Sequence, residues 1–187
     1  MSGAAGDISV ERLDAAGLDR RVDRLAEILR ACVHDGASVN FVLPFDTADA
    51  ARFWREKARP GVAAGRIVLL AASIDGEIAG TAQLVLVETP NQAHRAEVAK
   101  VLTHPAMRRR GVPRRGFAAV ESPADAHGRS LLVLDTRTGD AAERLYVGLG
   151  YRIAGVVPGF ARHPAEPQLE GATVLYKRLT ESSSKLK

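Results

Sequence analysis

The stretch of sequence that decides the fold is Glu97-Val98-Ala99-Lys100-Val101-Leu102-Thr103-His104-Pro105, which leads into Arg108-Arg109-Arg110-Gly111-Val112. Its first part predicts a strand over residues 95–103, stopped by Pro105. A run of arginines and a glycine follow, and backbone N–H groups at such a turn can hold a phosphate. The stretch therefore indicates a site for a phosphate-bearing ligand, with an exposed basic turn as the alternative that so short a motif leaves open.

Composition limits the class of protein. The chain has 187 residues, 46% of them hydrophobic, which is enough to bury one core. Lys and Arg number 26 against 22 Asp and Glu, and much of the basic charge lies in residues 108–115. This concentration favours a local phosphate ligand over a nucleic-acid surface. Aromatic residues make up 5% of the chain and none interleaves with the arginines, so a stacking platform for nucleic acid is not expected.

Cysteine usage and hydropathy give the expected compartment. Cys32 has no second cysteine to pair with, and no cysteine or histidine spacing is typical of a metal site, so we expect no metal and a reducing cytoplasm. Residues 1–6 lack a basic and apolar leader pattern, and no apolar run approaches the roughly 18 residues of a membrane helix. We therefore expect no membrane association.

Two helices are predicted before the decisive stretch. Residues 7–14 alternate in polarity, which indicates a short strand. Residues 18–33 carry an apolar stripe at helical spacing, and residues 46–58 form a second helix that Asp46 caps and Pro60-Gly61 stops. The intervening loop, residues 36–44, presents Asn40 and Phe41, with Phe45 just beyond it. These residues either line a site or pin the helices to the core.

The remaining segments complete the order of elements. Residues 67–72 and 78–87 form a hairpin around Asp75-Gly76, and residues 95–103 add a third strand. Beyond the arginines we predict a helix at 117–120, a buried strand at 131–134, a helix at 141–149, and strands at 151–157 and 173–179 joined by a long loop. This order predicts a sheet covered by helices, of the α/β or α+β class, in one domain over residues 1–180 with a polar tail at 181–187.

The order of elements and the decisive stretch together resemble the GNAT superfamily of N-acetyltransferases over nearly the whole chain. A later stretch is similar to the branch that includes the tabtoxin-resistance acetyltransferase; it reads Leu134-Asp135-Thr136-Arg137-Thr138-Gly139-Asp140-Ala141-Ala142-Glu143, followed by Leu145-Tyr146 and Leu149-Gly150-Tyr151. The resemblance implies the GNAT fold, a mixed and mostly antiparallel sheet of roughly seven strands with helices on both faces. It also implies acetyl-CoA as cosubstrate, a small-molecule amine as acceptor, and a possible homodimer.

The resemblance further implies where acetyl-CoA binds. The residues concerned lie at the end of the strand and in the turn: Val101, Leu102, Thr103, Arg108, Arg109, Arg110, Gly111, Val112 and Arg114. Gly111 lets the backbone approach the pyrophosphate. Pro113 departs from the small residue of the family pattern, and it has no N–H to donate. Pro123 interrupts the helix that follows, so we predict a break there with Ser122 capping a second piece.

The chemistry requires a base, because an alkyl amine with a pKa near 10.4 is neutral in only about one part in 2,500 at pH 7. The resemblance gives that role, directly or through water, to Glu97 and Asp135, and it places Tyr146 as proton donor to the departing CoA thiolate. The alternatives are solvated carboxylates and a tyrosine that packs in the core. A CoA-fold module that binds a ligand but no longer catalyses is the second hypothesis; Pro113 and Pro123 motivate it, and the retained candidate residues oppose it.

Overall fold

A computed structural model of the chain describes residues 7–108 and 110–179, without the side chains of Pro113, Gly116 and Phe117. Arg109 and the predicted tail at 181–187 lie outside the described residues. The strands are β1 (Ile8–Leu13), β2 (Ile67–Ile74), β3 (Glu77–Leu86), β4 (Arg95–Thr103), β5 (Leu131–Arg137), β6 (Arg152–Arg162) and β7 (Leu169–Arg178). They form a 7-stranded sheet in the order β1-β2-β3-β4-β5-β7-β6. Neighbours are antiparallel except β4 and β5, which confirms the predicted mixed, mostly antiparallel sheet.

Helix α1 (Ala15–His34) covers one face of the sheet. The Asp14 side chain accepts a hydrogen bond from the Gly17 backbone N–H at 2.6 Å and so caps the helix. The predicted apolar stripe is buried, as Leu18, Val22, Leu25, Leu29 and Cys32 all lie in the core. The helix begins before the predicted start because the cap precedes the first apolar residue of the stripe.

The second helical segment runs past the residues predicted to stop it. It consists of α2 (Thr47–Arg52), a π-helical turn (Phe53–Ala58) and α3 (Arg59–Ala63). Asp46 and Asp49 form a reciprocal capping box at its start, as the sequence suggested. The predicted stop at Pro60-Gly61 is wrong. The π-helical turn changes the hydrogen-bond pattern, so Pro60 falls in the first turn of α3, where its missing N–H is not needed.

Three short helices cover the opposite face: α4 (Val112–Ala118), α5 (Glu121–Ala126) and α6 (Ala141–Gly148). Helix α4 starts earlier than predicted. The predicted break before Pro123 is present, since a turn at residues 119–120 separates α4 from α5. Ser122 is not the cap, because α5 begins one residue before it and Val120 is the N-cap. Pro123 lies in the first turn of α5, where helical N–H groups have no intrahelical partner.

The last two strands are longer than predicted, so the long loop expected over residues 158–171 is wrong. Strand β6 includes Pro158 and Gly159, and the connection to β7 spans residues 163–168. The β6–β7 register shifts between Val157 and Ala161, which accommodates the proline without a ladder hydrogen bond. Strand β6 is the edge of the sheet, and its residues are exposed except Ala161.

Candidate active site

The sheet opens between its two parallel strands. Register partners join β4 and β5 from Arg95–Leu131 to Glu97–Val133 and no further along the described strands. Beyond that point β4 still pairs with β3, and β5 still pairs with β7. The β5-facing edge of residues 98–103 is therefore left without a β5 partner, and its backbone groups can pair with an extended ligand as a neighbouring strand would.

A β-bulge at Lys100 shapes this edge. Lys100 has a φ of 48°, and the β3–β4 register shifts between Thr81 and Gln83. The buried Thr81 hydroxyl donates to the Lys100 carbonyl at 2.9 Å, which holds the bulge in place. Ala96 and Val98 pack toward α5 and α6, whereas Leu102 packs toward α1. Because of the extra residue, even-numbered side chains of β4 face α5 and α6 before the bulge and face α1 after it.

The turn that follows β4 has the predicted glycine geometry. Gly111 has a φ of 85°, in the left-handed region that favours glycine, and α4 begins at the next residue. Arg108 forms an ion pair with Asp35, and Arg110 lies 3.5 Å from an oxygen of Asp75. These two arginines are thus held by acidic side chains on neighbouring turns, while Arg114 is exposed.

Several residues predicted to contact acetyl-CoA have side chains engaged elsewhere. Leu102 and Val112 are buried in the core, and Val101 packs against the α5–α6 side of the sheet. The Thr103 carbonyl accepts a hydrogen bond from Cys32 Sγ at 3.3 Å. Any contact that Val101, Leu102 and Val112 make with a ligand must therefore come mainly from their backbone groups, whereas the Thr103 carbonyl is already engaged.

Glu97 and Asp135 lie on one face of the opened strands. Glu97 is in register with Val133, and Asp135 is two residues further along β5, so alternation places both carboxylates on the α1 side. Glu97 is exposed and pairs with Arg95 at 2.9 Å. Partial burial raises the pKa of Asp135; the Lys100 ammonium opposes that rise and the Glu97 carboxylate adds to it. The predicted pair of carboxylates is thus brought onto one face, and the pKa of Asp135 lies above its ordinary value.

Lys100 is a candidate site residue that the sequence analysis did not select. Its ammonium lies 5.6 Å from the ring centroid of Phe41 and 5.4 Å from that of Phe53. Burial lowers its pKa, and Asp135 opposes the shift. An isolated lysine in a strand carries no motif, and only the bulge turns it onto the same face as the carboxylates.

The loop aromatics pin the loop to the core, and Phe41 also lies beside Lys100. Phe45 is buried, and Phe41 packs against the same core cluster as α1 and Trp54. The Phe41 ring lies 4.6 Å from that of Phe45 and 5.3 Å from that of Phe53. Phe41 therefore pins the loop to the core with one surface and flanks the Lys100 ammonium with another.

Tyr146 lies on the opposite side of the sheet from the carboxylates. It is 6% exposed, packs among residues of the α5–α6 side, and its ring lies 6.2 Å from that of Tyr151. Burial raises its pKa, with smaller contributions from Asp140 and Asp135, so the phenol stays protonated at neutral pH. Tyr146 and Asp135 are thus close enough to interact, yet they approach β5 from different faces.

Two loops meet at the far end of the carboxylate face. The Leu43 N–H donates to the Pro164 carbonyl at 2.8 Å, which joins the loop after α1 to the β6–β7 loop. Arg137 donates to the Gly36 carbonyl at 2.7 Å and lies 2.6 Å from a Glu170 oxygen. The loop after α1 is therefore fixed both to the β6–β7 loop and to β5.

A cavity of about 420 Å³ lies nearby, lined by Gly150, Arg152, Tyr176, Lys177 and Arg178. Tyr176 is in register with Val133, which is itself in register with Glu97, so the cavity lies two strands away from Glu97 across the sheet. None of the predicted site residues lines it. The opening between β4 and β5, rather than this cavity, therefore defines the candidate site.

Other polar candidates have structural roles. His104 Nδ1 accepts from the Ala106 N–H at 3.3 Å and so caps the turn after β4. Cys32 is buried, and burial raises the pKa of its thiol to about 11, which makes it a poor nucleophile. Within residues 7–108 and 110–179, no helix has the length and apolar content needed to cross a membrane.

Comparison with known proteins shows which family this chain is similar to. The model of the Acetyltransferase (GNAT) family matches residues 24–151. An uncharacterized N-acetyltransferase from the hisH-hisA intergenic region of Azospirillum brasilense is 34% identical over 134 residues, which cover 70% of this chain and 76% of that protein. The yncA acetyltransferase of Salmonella typhimurium, solved with its cofactor acetyl-CoA, aligns with a TM-score of 0.73 at 18% identity, covering 95% and 96% of the two chains.

A ribosomal-protein-alanine N-acetyltransferase from Brucella melitensis aligns with a TM-score of 0.73 at 17% identity, covering 91% of this chain and 99% of that one. At such identities the structural likeness shows the fold alone. The family match and the Azospirillum brasilense relative go further: the chain belongs to the GNAT family of acetyltransferases.

Proposed function

We propose that this protein transfers the acetyl group of acetyl-CoA to an amine of a small molecule, by direct attack within a ternary complex. The observation that carries the proposal is the placement of Glu97 and Asp135 on one face, directly beside the opening between β4 and β5. The closer resemblance to the tabtoxin-resistance branch suggests an amino-acid-like or peptide-like toxin or antibiotic as acceptor.

Acetyl-CoA would bind through the backbone of residues 101–103 and the turn at Gly111. The unpaired edge of β4 supports the first contact, and the left-handed Gly111 before α4 supports the second. Arg114 is exposed and can supply charge to the phosphates. Arg108 and Arg110 would have to exchange Asp35 and Asp75 for phosphate oxygens, and Arg109 lies outside the described residues.

The proposed proton transfers use residues on both sides of β5. Glu97 or Asp135, directly or through water, would accept a proton from the acceptor ammonium so that the neutral amine can attack the thioester carbonyl. As the new C–N bond forms, the C–S bond breaks and the CoA thiolate leaves. Tyr146, on the other side of the opening, would donate its proton to that thiolate and be reprotonated by the second proton that the amine loses.

The test is a pH profile of turnover for Glu97→Gln, Asp135→Asn and Tyr146→Phe with one accepted amine. Loss of the base should lower turnover at neutral pH, and raising the pH should partly restore it because the amine then deprotonates in solution. Tyr146→Phe should slow the reaction without such rescue. Asp23→Asn, on the exposed side of α1, is the matched control. Wild-type rates in both amide variants would refute the proposed base, and a normal rate in Tyr146→Phe would leave Tyr146 a packing residue.

A non-catalytic acyl-CoA-binding module is the second candidate, because Pro113 lacks an N–H in the first turn of α4. Thermal denaturation with acetyl-CoA separates the two. A ligand at 100 times its dissociation constant stabilises by about 2.7 kcal/mol. Stabilisation together with release of free CoA in the presence of amines supports the enzyme, whereas stabilisation without release supports the module.

A homodimer is part of the proposal as well. The edge strand β6 exposes Ile153, Val156, Val157 and Phe160, each by 43% or more of its surface. A contiguous apolar strand at a sheet edge is a surface that a second copy can cover. Sedimentation velocity should give a dimer for the wild type and a monomer for Val156→Lys; a monomeric wild type would refute this part.

A further inference from the structure

We infer that Lys100 binds a carboxylate of the acceptor, so that the acceptor is an α-amino acid or another amine with a neighbouring acid group. The inference rests on the proposed function, because it assumes that the face carrying Asp135 receives the acceptor. It adds a specificity-determining residue that no sequence motif singles out.

The bulge in β4 places the lysine where such a contact is possible. Lys100 adopts a φ of 48°, and the Thr81 hydroxyl fixes its carbonyl at 2.9 Å. The half-buried side chain extends along Phe41 and Phe53, whose ring centroids lie within 5.6 Å of the ammonium. The two rings flank the cation without neutralising it, so its charge is available to a further partner.

Two ion pairs lie on this face. Arg95 lies 2.9 Å from Glu97, and Arg137 lies 2.6 Å from Glu170. Lys100 and Asp135, by contrast, form no ion pair within 4.0 Å with each other or with any other residue that the structure describes. They still influence each other, since each opposes the effect of burial on the other's pKa.

A free cation and a free anion on one face are complementary to a zwitterion. The ammonium of an amino acid would pair with Asp135, which is also the candidate base, and its carboxylate would pair with Lys100. A simple amine would leave the half-buried lysine uncompensated and would bring a second positive charge beside it. Because specificity is a difference between affinities, Lys100 would both favour acids and disfavour plain amines.

The experiment compares free amino acids with their carboxamides. The twenty L-amino acids and the matching amides are assayed by release of the CoA thiol, with wild type, Lys100→Met and Lys100→Arg. Amide formation removes the carboxylate charge. It also makes the amine easier to deprotonate and so more reactive, which works against the preference that the inference predicts. We expect wild type to prefer the accepted acids over their amides by about tenfold or more in kcat/KM.

Lys100→Met should lower this ratio to near one, whereas Lys100→Arg should keep most of it because the charge is retained. Lys57→Met, an exposed lysine in the π-helical turn, is the matched control and should leave the ratio unchanged. The inference is overturned if Lys100→Met lowers both kcat/KM values equally, since the lysine then acts on Asp135 or on the fold. An unchanged ratio in Lys100→Met overturns it too.

The substrate panel also separates this inference from the proposed function. Transfer to amides or plain amines but to none of the free amino acids overturns the inference alone. Absence of transfer to any amine, with or without acetyl-CoA binding, overturns the proposed function.

Discussion

Replacing Gly80 by alanine perturbs the strand that borders the opening in the sheet. An added Cβ would lie 2.4 Å from the Leu102 carbonyl oxygen, 3.2 Å from Val112 Cγ1 and 3.3 Å from Thr103 Oγ1. The nearest of these atoms belongs to the backbone and cannot rotate away. The methyl group must therefore displace β4 from β3, or α4 from the sheet.

Overpacking of this kind costs about 1–3 kcal/mol. For a domain of this size each kcal/mol lowers Tm by about 2–4 °C, so we expect Gly80→Ala to lower Tm by roughly 2–12 °C. The three contacted residues are all predicted to border acetyl-CoA, so affinity for the cosubstrate should also fall. Thermal denaturation gives the first quantity and isothermal titration with acetyl-CoA gives the second.

Gly148→Ala is the matched control, because an added Cβ at this position in α6 has no atom within 4 Å. Alanine should be neutral there or stabilise the helix by up to about 1 kcal/mol. The reasoning is refuted if Gly80→Ala keeps the wild-type Tm and acetyl-CoA affinity. A lowered Tm with unchanged affinity would separate the packing from the binding and remove the end of β4 from the cosubstrate site.

Three further predictions concern the turn and the carboxylate. Gly111→Val should weaken acetyl-CoA binding about tenfold or more by titration, because a β-branched residue disfavours the φ of 85° that brings the backbone to the phosphate. Pro113→Ala should tighten binding by restoring an N–H in the first turn of α4, worth about 1.5–3 kcal/mol against a charged oxygen. Asp135→Asn should raise Tm at pH 7. Burial raises the pKa of Asp135 against the influence of Lys100, so its ionised form destabilises the fold, and this cost disappears as pH falls toward the unfolded value of about 3.9.

Each of these predictions has an internal check. Gly65→Val strains a similar left-handed position, with φ of 71° and open space around it, and should lower Tm without changing acetyl-CoA affinity. If both valine variants bind normally, the turn is not part of the site. Weaker binding by Pro113→Ala would show that the proline sets a working loop geometry. A Tm difference for Asp135→Asn that does not change with pH would contradict the assigned cost of ionisation.

Patterns with a fixed period were sufficient to predict much of the fold. The stripe on α1, the capping box at Asp46 and the hairpin at Asp75-Gly76 each depend on local chemistry, and each is present in the structure. Gly111, which the sequence analysis selected in the turn after β4, adopts a left-handed φ that favours glycine. The mixed, mostly antiparallel sheet came from the resemblance to the GNAT superfamily.

Features in which the regular hydrogen-bond pattern or strand register changes within an element could not be predicted. The π-helical turn at residues 53–58 has no composition that distinguishes it from an α-helix, so Pro60 was misread as a stop. Pro158 and Gly159 were read as a loop because their tolerance within β6 depends on its position at the sheet edge and on a register shift. In each case the surrounding structure accommodates residues that the local sequence alone would place outside a helix or strand.

The bulge at Lys100 links the two halves of the candidate site. Without the extra residue, strict alternation would continue the phase of Ala96 and Val98, so Leu102 would face α5 and α6 and Lys100 would enter that apolar layer. With it, Leu102 fills the α1 core, and Lys100 joins Glu97 and Asp135 on the α1 side of the sheet. The same irregularity occurs where β4 loses its β5 partner. One inserted residue therefore accompanies both the free edge proposed for acetyl-CoA and the charge proposed for the acceptor, and shortening β4 by one residue should abolish both together.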